Sequence, residues 1–345
     1  MQGSPYLQPG EWQFNFGYRY MKSDRHFTGD NEEPGRQAEN SEVINQVHLM
    51  DFAITRQITN RLSLSFGMPV QIATRSTPIR DPAGDVIDRD TQRANGIGDM
   101  ALTSKIWLLS PAENPEGNIG LGLGVKFPTG DTDVRHQAIV RQGSTYTYQE
   151  RTVDQSITPG DGGYGLILNL ELFKVIFEKY TLFAFGTYLF NPENTNDTPT
   201  FRSGSGEEVM SVADQYLAKA GIATPIPFLS RYGLSFTIAG RIEGVPPRDL
   251  LGDSDGFRRP GYAISVEPGI VWLYKRHTFG LSAPIALYRD RQQSVPEEQA
   301  TPERHGDAAF ADYLILFSYS YAFGGSTECG HDDGQNAPVV PDLSL

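Results

Sequence analysis

Apolar side chains recur at every second position over long stretches of this chain. Trp12, Phe14, Phe16, Tyr18 and Tyr20 alternate with Gln13, Asn15, Gly17 and Arg19, an order that a helix would scatter around its circumference and a strand sorts onto two faces. Leu62, Leu64, Phe66, Met68, Val70 and Ile72 repeat the pattern against Ser63, Ser65, Gly67, Pro69 and Gln71, and Ile119 to Phe127 repeat it against Gly120, Gly122, Gly124 and Lys126. Tyr232 to Ile242, Tyr262 to Tyr274 and Tyr313 to Phe323 follow suit. With the weaker segments included, about twelve strands are predicted, near 11–24, 42–57, 61–74, 96–108, 118–128, 163–174, 180–190, 212–223, 232–243, 261–274, 277–288 and 311–323.

The connections alternate between short turns (Thr59-Asn60, Ser110 to Gly117, Val175 to Lys179, Thr224 to Arg231, Lys275-Arg276) and long polar loops. A soluble sandwich has no reason to gather its long loops at one end; an outer-membrane barrel does, with short turns in the periplasm and long loops outside. Aromatics near strand ends, such as Trp12 and Tyr20, Tyr180 and Tyr188, Tyr262 and Trp272, fit the girdles at two membrane interfaces. The expected architecture is all-β: a single antiparallel transmembrane barrel over residues 11–323, in the outer membrane of a Gram-negative bacterium. Residues 1–10 read as an N-terminal periplasmic segment and residues 324–345 as a C-terminal periplasmic tail. Met1 to Tyr6 lacks a basic region followed by an apolar one, so the chain reads as a mature form.

Composition supports this and removes alternatives. The 345 residues include 36 glycines, 19 phenylalanines and 16 tyrosines, which suits strands and turns. No apolar run approaches the length of a spanning helix. A net charge of -13 leaves no footprint for nucleic acid. The single cysteine, Cys329, excludes an internal disulfide framework.

The run Gly96-Ile97-Gly98-Asp99-Met100-Ala101-Leu102 through Lys105 and Leu108, with Gly120 to Pro128-Thr129-Gly130-Asp131, resembles the outer-membrane proteins labelled "MetA-pathway of phenol degradation". Ser282-Ala283-Pro284 with Tyr288-Arg289 is similar to that family's penultimate strand. The resemblance implies an outer-membrane barrel that passes hydrophobic or aromatic compounds. The segment from Thr132 to Gly160 and the end of the chain after Phe323 have no counterpart in the family pattern.

Strand parity directs Arg19, Arg61, Lys105, Lys126, Lys219 and Arg241 into the lumen, together with Asp99, Glu171, Glu243, Glu267 and Asp312. Opposite charges on an interior wall are expected to pair between strands, either as a structural network or as a selectivity filter. Phe183 and Phe185, with Leu314 and Leu316, form a candidate apolar lumen patch, read either as a track for an apolar solute or as packing that plugs a narrow barrel. Arg135, His136, Arg141, Tyr146 and Tyr148 sit on the loop from Thr132 to Gly160, long enough to constrict the mouth or to stay on the surface.

Enzymatic and metal readings are weaker. Gly96-x-Gly98-x-x-Ala101 matches a dinucleotide fingerprint in letters, but the residues after it alternate as a strand where a helix is needed. A barrel hydrolase would require a serine beside His48 or His277, the histidines in strands. Gly252 to Gly256 and Asp131 to Asp133 are fragments of calcium loops without the distal glutamate, and Cys329, His331, Asp332 and Asp333 lack a haem-attachment spacing. No cofactor and no metal are expected. The preferred function is passive or gated passage of small solutes; the alternative is a non-transporting barrel that anchors an assembly through its loops or through residues 324–345. Expected partners are outer-membrane lipid, lipopolysaccharide and small solutes, with a protein partner at the tail or loops as a further candidate.

Overall fold

A computed structural model describes residues 6–177 and 179–324. Twelve antiparallel strands form one closed wall: β1 (Trp12–Thr28), β2 (Ile44–Gln57), β3 (Leu62–Arg80), β4 (Val86–Ile97, continued by Ala101–Trp107), β5 (Gly117–Lys126), β6 (Gly165–Ile176), β7 (Tyr180–Phe190), β8 (Gln215–Pro225), β9 (Leu234–Val245), β10 (Gly261–Tyr274), β11 (His277–Ser282, continued by Ile285–Asp290) and β12 (Ala308–Phe323). Each pairs with its sequence neighbour, and β12 returns to pair with β1 from Trp12↔Phe323 to Phe27↔Ala308. The ladder therefore has no open edge in the wall, the condition for placing a sheet in hydrocarbon. Among the described residues no helix is long and apolar enough to cross a membrane.

The period of two becomes inside and outside. On β5, Leu121, Leu123 and Val125 are exposed on the outer face, while Gly120, Gly122 and Gly124 are buried on the inner one. Leu62, Leu64 and Phe66 on β3 and Leu166, Leu168 and Leu170 on β6 extend the same apolar band. A surface this apolar would aggregate in water and is at home in a bilayer; the protein is an outer-membrane-type barrel.

Two strands are interrupted, each opposite a proline. Pro69 on β3 has no N–H to donate, and β4 breaks at Gly98-Asp99-Met100, where the Gly98 amide still donates to the Pro69 carbonyl at 2.8 Å. Pro268 on β10 stands likewise opposite the break at Ala283-Pro284 in β11, the Ala283 amide donating to its carbonyl at 3.0 Å. The first break explains the glycines of the Gly96 to Asp131 run. A Cβ on Gly98 would lie 2.9 Å from the Pro159 carbonyl oxygen, and one on Gly130 would lie 2.6 Å from the Cα of Gly160. Both ends of the long loop are pressed onto the break. Asp99 holds them there, accepting from the amides of Gly130 and Asp161, both at 2.9 Å.

The loop end rises further than the alternation predicts. β3 continues to Arg80 and β4 begins at Val86, so residues expected in a polar loop form a projecting hairpin closed by a turn at Asp81 to Asp85. Its inner face carries Arg75 and Asp90, buried against the long loop, so it shows no apolar period to read. Within the following loop, Arg135–Gln142 pairs with Thr145–Thr152 and a 3-10 turn follows at Gln155–Ile157. Farther on, Thr195–Pro199 pairs with Val209–Ser211. The tail with Cys329, His331, Asp332 and Asp333 lies outside the described residues.

Leu123, near the middle of β5 and more than half exposed on the outer face, tests the membrane orientation. Leu123→Arg is expected to destabilise folding into a bilayer by about 2–4 kcal/mol, the cost of a cation near the midplane, whereas Leu123→Phe changes it by well under half as much. Reversible urea unfolding in lipid vesicles measures both; equal small effects would place that face away from lipid.

Candidate functional site in the barrel lumen

Among the described residues, three large cavities lie along the lumen, of about 420, 680 and 500 Å³. At the turn end a cavity of about 420 Å³ is lined by Asn15, Thr55, Lys105, Trp107, Glu171 and Tyr6, among others. Tyr6 enters the barrel ahead of β1. Its ring packs edge-on against Trp107 at 5.3 Å and near Phe173 at 5.9 Å, in a buried cluster with Phe183, Ala223 and Ala239. Its hydroxyl donates to the Asn114 carbonyl at 2.8 Å and accepts from Asn118 at 3.1 Å. At the loop end a cavity of about 680 Å³ is lined by Asn45, Arg75, Arg202, Arg259, Asp307 and Phe310, among others.

Ionic pairs cross the lumen. Arg19 on β1 donates to Glu243 on β9 at 3.1 Å, although four strand steps around the wall separate them, so this pair spans the lumen as a strut. Glu243 also takes Arg241 at 2.8 Å, and Arg241 reaches Glu267 at 3.3 Å. Lys219 approaches the other Glu267 oxygen, Oε1, at 3.6 Å, and Ser282 donates to that same oxygen at 2.9 Å. Lys105 donates to Glu171 at 2.8 Å in the turn-end chamber. Lys126 bonds Asp161 and lies 3.7 Å from Asp99 beneath the loop ends. Unpaired, charges this deeply placed would be costly; as a network each satisfies another.

Two of the eleven charges expected in the lumen do other work. Arg61 donates to the carbonyls of Trp107 and Leu108 at 2.7 and 2.5 Å and so fastens the turn end. Asp312 accepts from Arg25 at 2.6 Å and Arg289 at 2.7 Å and lines none of the three cavities. The four apolar candidates do not converge. Phe183 and Phe185 belong to the Tyr6 cluster, Leu316 lies beside Phe183 along a small cleft, and Leu314 faces a separate cavity at the loop end.

The loop candidates also divide. Arg135 pairs with Asp133, His136 with Asp90 at 3.0 Å, Arg141 with the Asp81 carbonyl, and Tyr146 donates to the Arg80 carbonyl at 3.2 Å, while Tyr148 is almost bare. His136, Arg141 and Tyr146 fasten the loop hairpin to the projecting β3–β4 hairpin, while Arg135 stays within its own loop. The part that enters the barrel is Val153 to Gly160: Ile157 is fully buried against Val47, Ala73 and Ala94, and Gln71 donates to its carbonyl at 2.8 Å. Asp154 accepts both Arg259 guanidinium nitrogens at 2.8 and 2.7 Å and lies 3.5 Å from Arg75. Sequence parity could not find Asp154, Arg202, Arg258 or Arg259, since all lie in loops; the one signal was the aromatic-arginine pairing in Phe201-Arg202 and Phe257-Arg258-Arg259.

His48 and His277 stand among outward tyrosines. Tyr18 hydroxyl lies 2.8 Å from His48 Nδ1, and Tyr319 hydroxyl 3.0 Å from His277 Nδ1. Among the described residues neither histidine bonds a serine, and no group of three or more metal-ligating side chains forms.

The loop-end carboxylates are tuned for charge. Burial alone would raise the Asp154 carboxyl, but Arg259 and Arg75 hold it well below the usual carboxylate range. Burial works the same way on Asp307, which bonding to His26 and the Arg36 charge bring down to about 2. Glu297 is lowered, against its own burial, by Arg291 and by the amides of Ser294 and Gly306. Groups depressed in the folded state contribute stability that is whole above the unfolded carboxylate value near 4 and is lost as pH falls through the folded one. Hydrogen-exchange protection factors of Val153 to Gly160 and Val295 to Asp307, taken against the intrinsic rate at each pH, should therefore hold from pH 7 to about 4.5 and fall towards pH 2; undiminished protection factors at pH 2 would contradict the assignment.

No family model matches the chain, and no curated protein matches it. Among solved structures, its fold is similar to that of the COG4313 outer membrane channel from Pseudomonas putida F1, with a TM-score of 0.60 at 13% identity over 94% of this chain and all of that one. More distant barrels include the CymD monoaromatic hydrocarbon channel (TM-score 0.47, 9% identity, 92% of this chain and 90% of that) and the P. putida toluene transporter TodX (TM-score 0.45, 11% identity, 93% and 92%). At these identities the likeness is one of fold: a closed outer-membrane barrel.

Proposed function

We propose that the protein is a narrow outer-membrane channel for small solutes with apolar or aromatic bodies. The observation that carries this reading is the series of cavities along the barrel, the one of about 500 Å³ being crossed by the Arg19–Glu243 strut that lines it. A barrel serving only as an anchor gains nothing from hollow interior space, since packing the lumen would stabilise it more. A channel needs space on both sides of a restriction and a polar wall along which a solute exchanges partners. Lys105, Lys126, Lys219, Arg241, Asp99, Glu171 and Glu267 supply that wall, and their mutual pairing keeps it from trapping either sign of ion. The solved barrel of similar fold is itself an outer membrane channel, which agrees with the reading. The finer assignment to the phenol-degradation family, and with it an aromatic solute, rests on the Gly96 to Asp131 and Ser282 to Arg289 runs.

Conductance in planar bilayers and swelling of solute-loaded liposomes test the channel directly. The wild-type chain is expected to carry small currents, and Arg19→Ala to raise them, because Glu243 keeps Arg241 as a partner and the strut alone is lost. A barrel that stays closed to ions and solutes in both forms would remove the proposal. Trimming Gln137 to Gln149 should leave conductance within experimental scatter, since that hairpin stands outside the mouth. Replacing Gln155 to Thr158 by glycines should increase conductance, since that stretch lines the loop-end chamber; the reverse order would show that the hairpin is the restricting element.

A further inference from the structure

The loop-end chamber concentrates arginine. Its upper wall gathers five arginines, Arg36, Arg75, Arg202, Arg258 and Arg259, around the carboxylates of Asp154, Asp249 and Asp307. Arg258 spends its guanidinium on Asp249 at 2.7 and 2.5 Å and on Ser211, and Arg36 reaches Asp307 at 2.8 Å. Asp154 has to serve both Arg259 and Arg75. Deeper in the same chamber, Asp99 and Asp161 are taken up by Lys126, and Asp51 lies on the register diagonal of Arg19. Glu33 also accepts from Arg36 at 3.1 Å, so among the described residues only Arg202 of the five arginines has no carboxylate in contact.

Arg202 is the exposed member of this group. Among the described residues its guanidinium makes no hydrogen bond or ion pair; it rests over the Phe257 ring at 4.2 Å, with Arg259 over the same ring at 4.6 Å. Burial, and after it the nearby Arg259 charge, lower the Arg202 pKa, yet from so high a value that the group stays cationic at neutral pH. A guanidinium on a solvent-exposed residue, resting on the buried Phe257 ring near Asp154, Glu207 and Asp307 but with no carboxylate in hydrogen-bonding contact, can still take a planar anion.

The chamber also has an apolar neighbour. A cavity of about 500 Å³ is lined by Met21, Leu217, Leu314, Leu189 and Phe310, and the last two, with Asn45, Ser156 and Gln215, line both spaces. Basic groups on one side and hydrocarbon on the other match a molecule with a carboxylate head and an apolar body. Resting on the channel reading, we propose that the loop-end chamber is a binding site for amphipathic monocarboxylates, with the carboxylate on Arg202 beside Arg75 and Arg259 and the apolar body along Leu189, Phe310 and Leu314.

Isothermal titration of the folded full chain in detergent, with benzoate and octanoate against the neutral benzyl alcohol and octanol, tests the site. At least one acid should bind ten or more times tighter than its alcohol, which body is preferred telling aryl from alkyl. Arg202→Gln, which strands no buried carboxylate, should abolish that margin, and Arg202→Lys should restore part of it. In the wild type the margin should shrink as salt is raised. Alcohols that bind as tightly as acids, a margin that survives Arg202→Gln, or one indifferent to salt would each overturn the proposal. A barrel without conductance that still prefers acids through Arg202 would remove the channel and keep the site; a conducting barrel without that preference would do the opposite.

Discussion

A strand in hydrocarbon cannot leave a backbone N–H or C=O unpaired, because no water is there to take the place of a partner. Closure of β12 onto β1 is how this chain meets that demand, and much else follows from it. Once the sheet is closed, every residue on a strand has only two destinations, lipid or lumen, and the alternation of Leu121, Leu123 and Val125 with Gly120, Gly122 and Gly124 has to hold its phase. Where the ladder cannot be continuous, the interruption is supplied with other partners. Pro69 and Pro268 each remove a donor, and the amides of Gly98 and Ala283 still find the proline carbonyls across the gap. The first break is then used again: Asp99, freed from regular pairing geometry, gathers Gly130, Asp161 and Lys126.

Inside the wall the energetic question reverses. The lumen contains more fixed charge than packing alone would require, and a buried pair seldom outperforms a well-packed apolar one. What an ion pair offers is geometry: Arg19 reaches Glu243 across four strand steps, a distance at which no backbone ladder can act. The Tyr6, Trp107 and Phe173 cluster serves the turn end by the opposite means, filling space with rings. The interior thus passes from aromatic packing through paired charge to an arginine-rich chamber, a gradient along which a solute with both polar and apolar parts would find successive partners.

The strands were legible because lipid on one face and a lumen on the other impose a strict period of two, and all twelve can be located from it. Legibility stops where one of those faces changes. Thr74 to Arg80 and Val86 to Arg93 are extended and paired, but their inner face meets the long loop through polar Arg75 and Asp90, so the apolar alternation lapses and the pattern reads as loop. Parity indicated which charges point inward, yet it could not show that Arg61 turns to carbonyls at the strand end or that Asp312 settles with Arg25 and Arg289. The outer chamber was invisible for a stronger reason. Arg75, Asp154, Arg202 and Arg259 come from a strand and three separate loops, and nothing local in any of them reports the others.

Asp154 is the joint between the loop that enters the barrel and the arginines that face it. With its neighbour Ile157 buried against Val47 and Ala73, it is fixed in place, and its bidentate grip on Arg259 and longer contact with Arg75 fix them in turn. One carboxylate between two guanidiniums orders the cluster without neutralising it. A second carboxylate there would complete the pairing and silence the chamber; none would leave the loop unanchored and the arginines repelling one another. The placement of these arginines is therefore a consequence of how the loop is held, so the order of Val153 to Gly160 and the anion preference proposed for the chamber depend on the same contact.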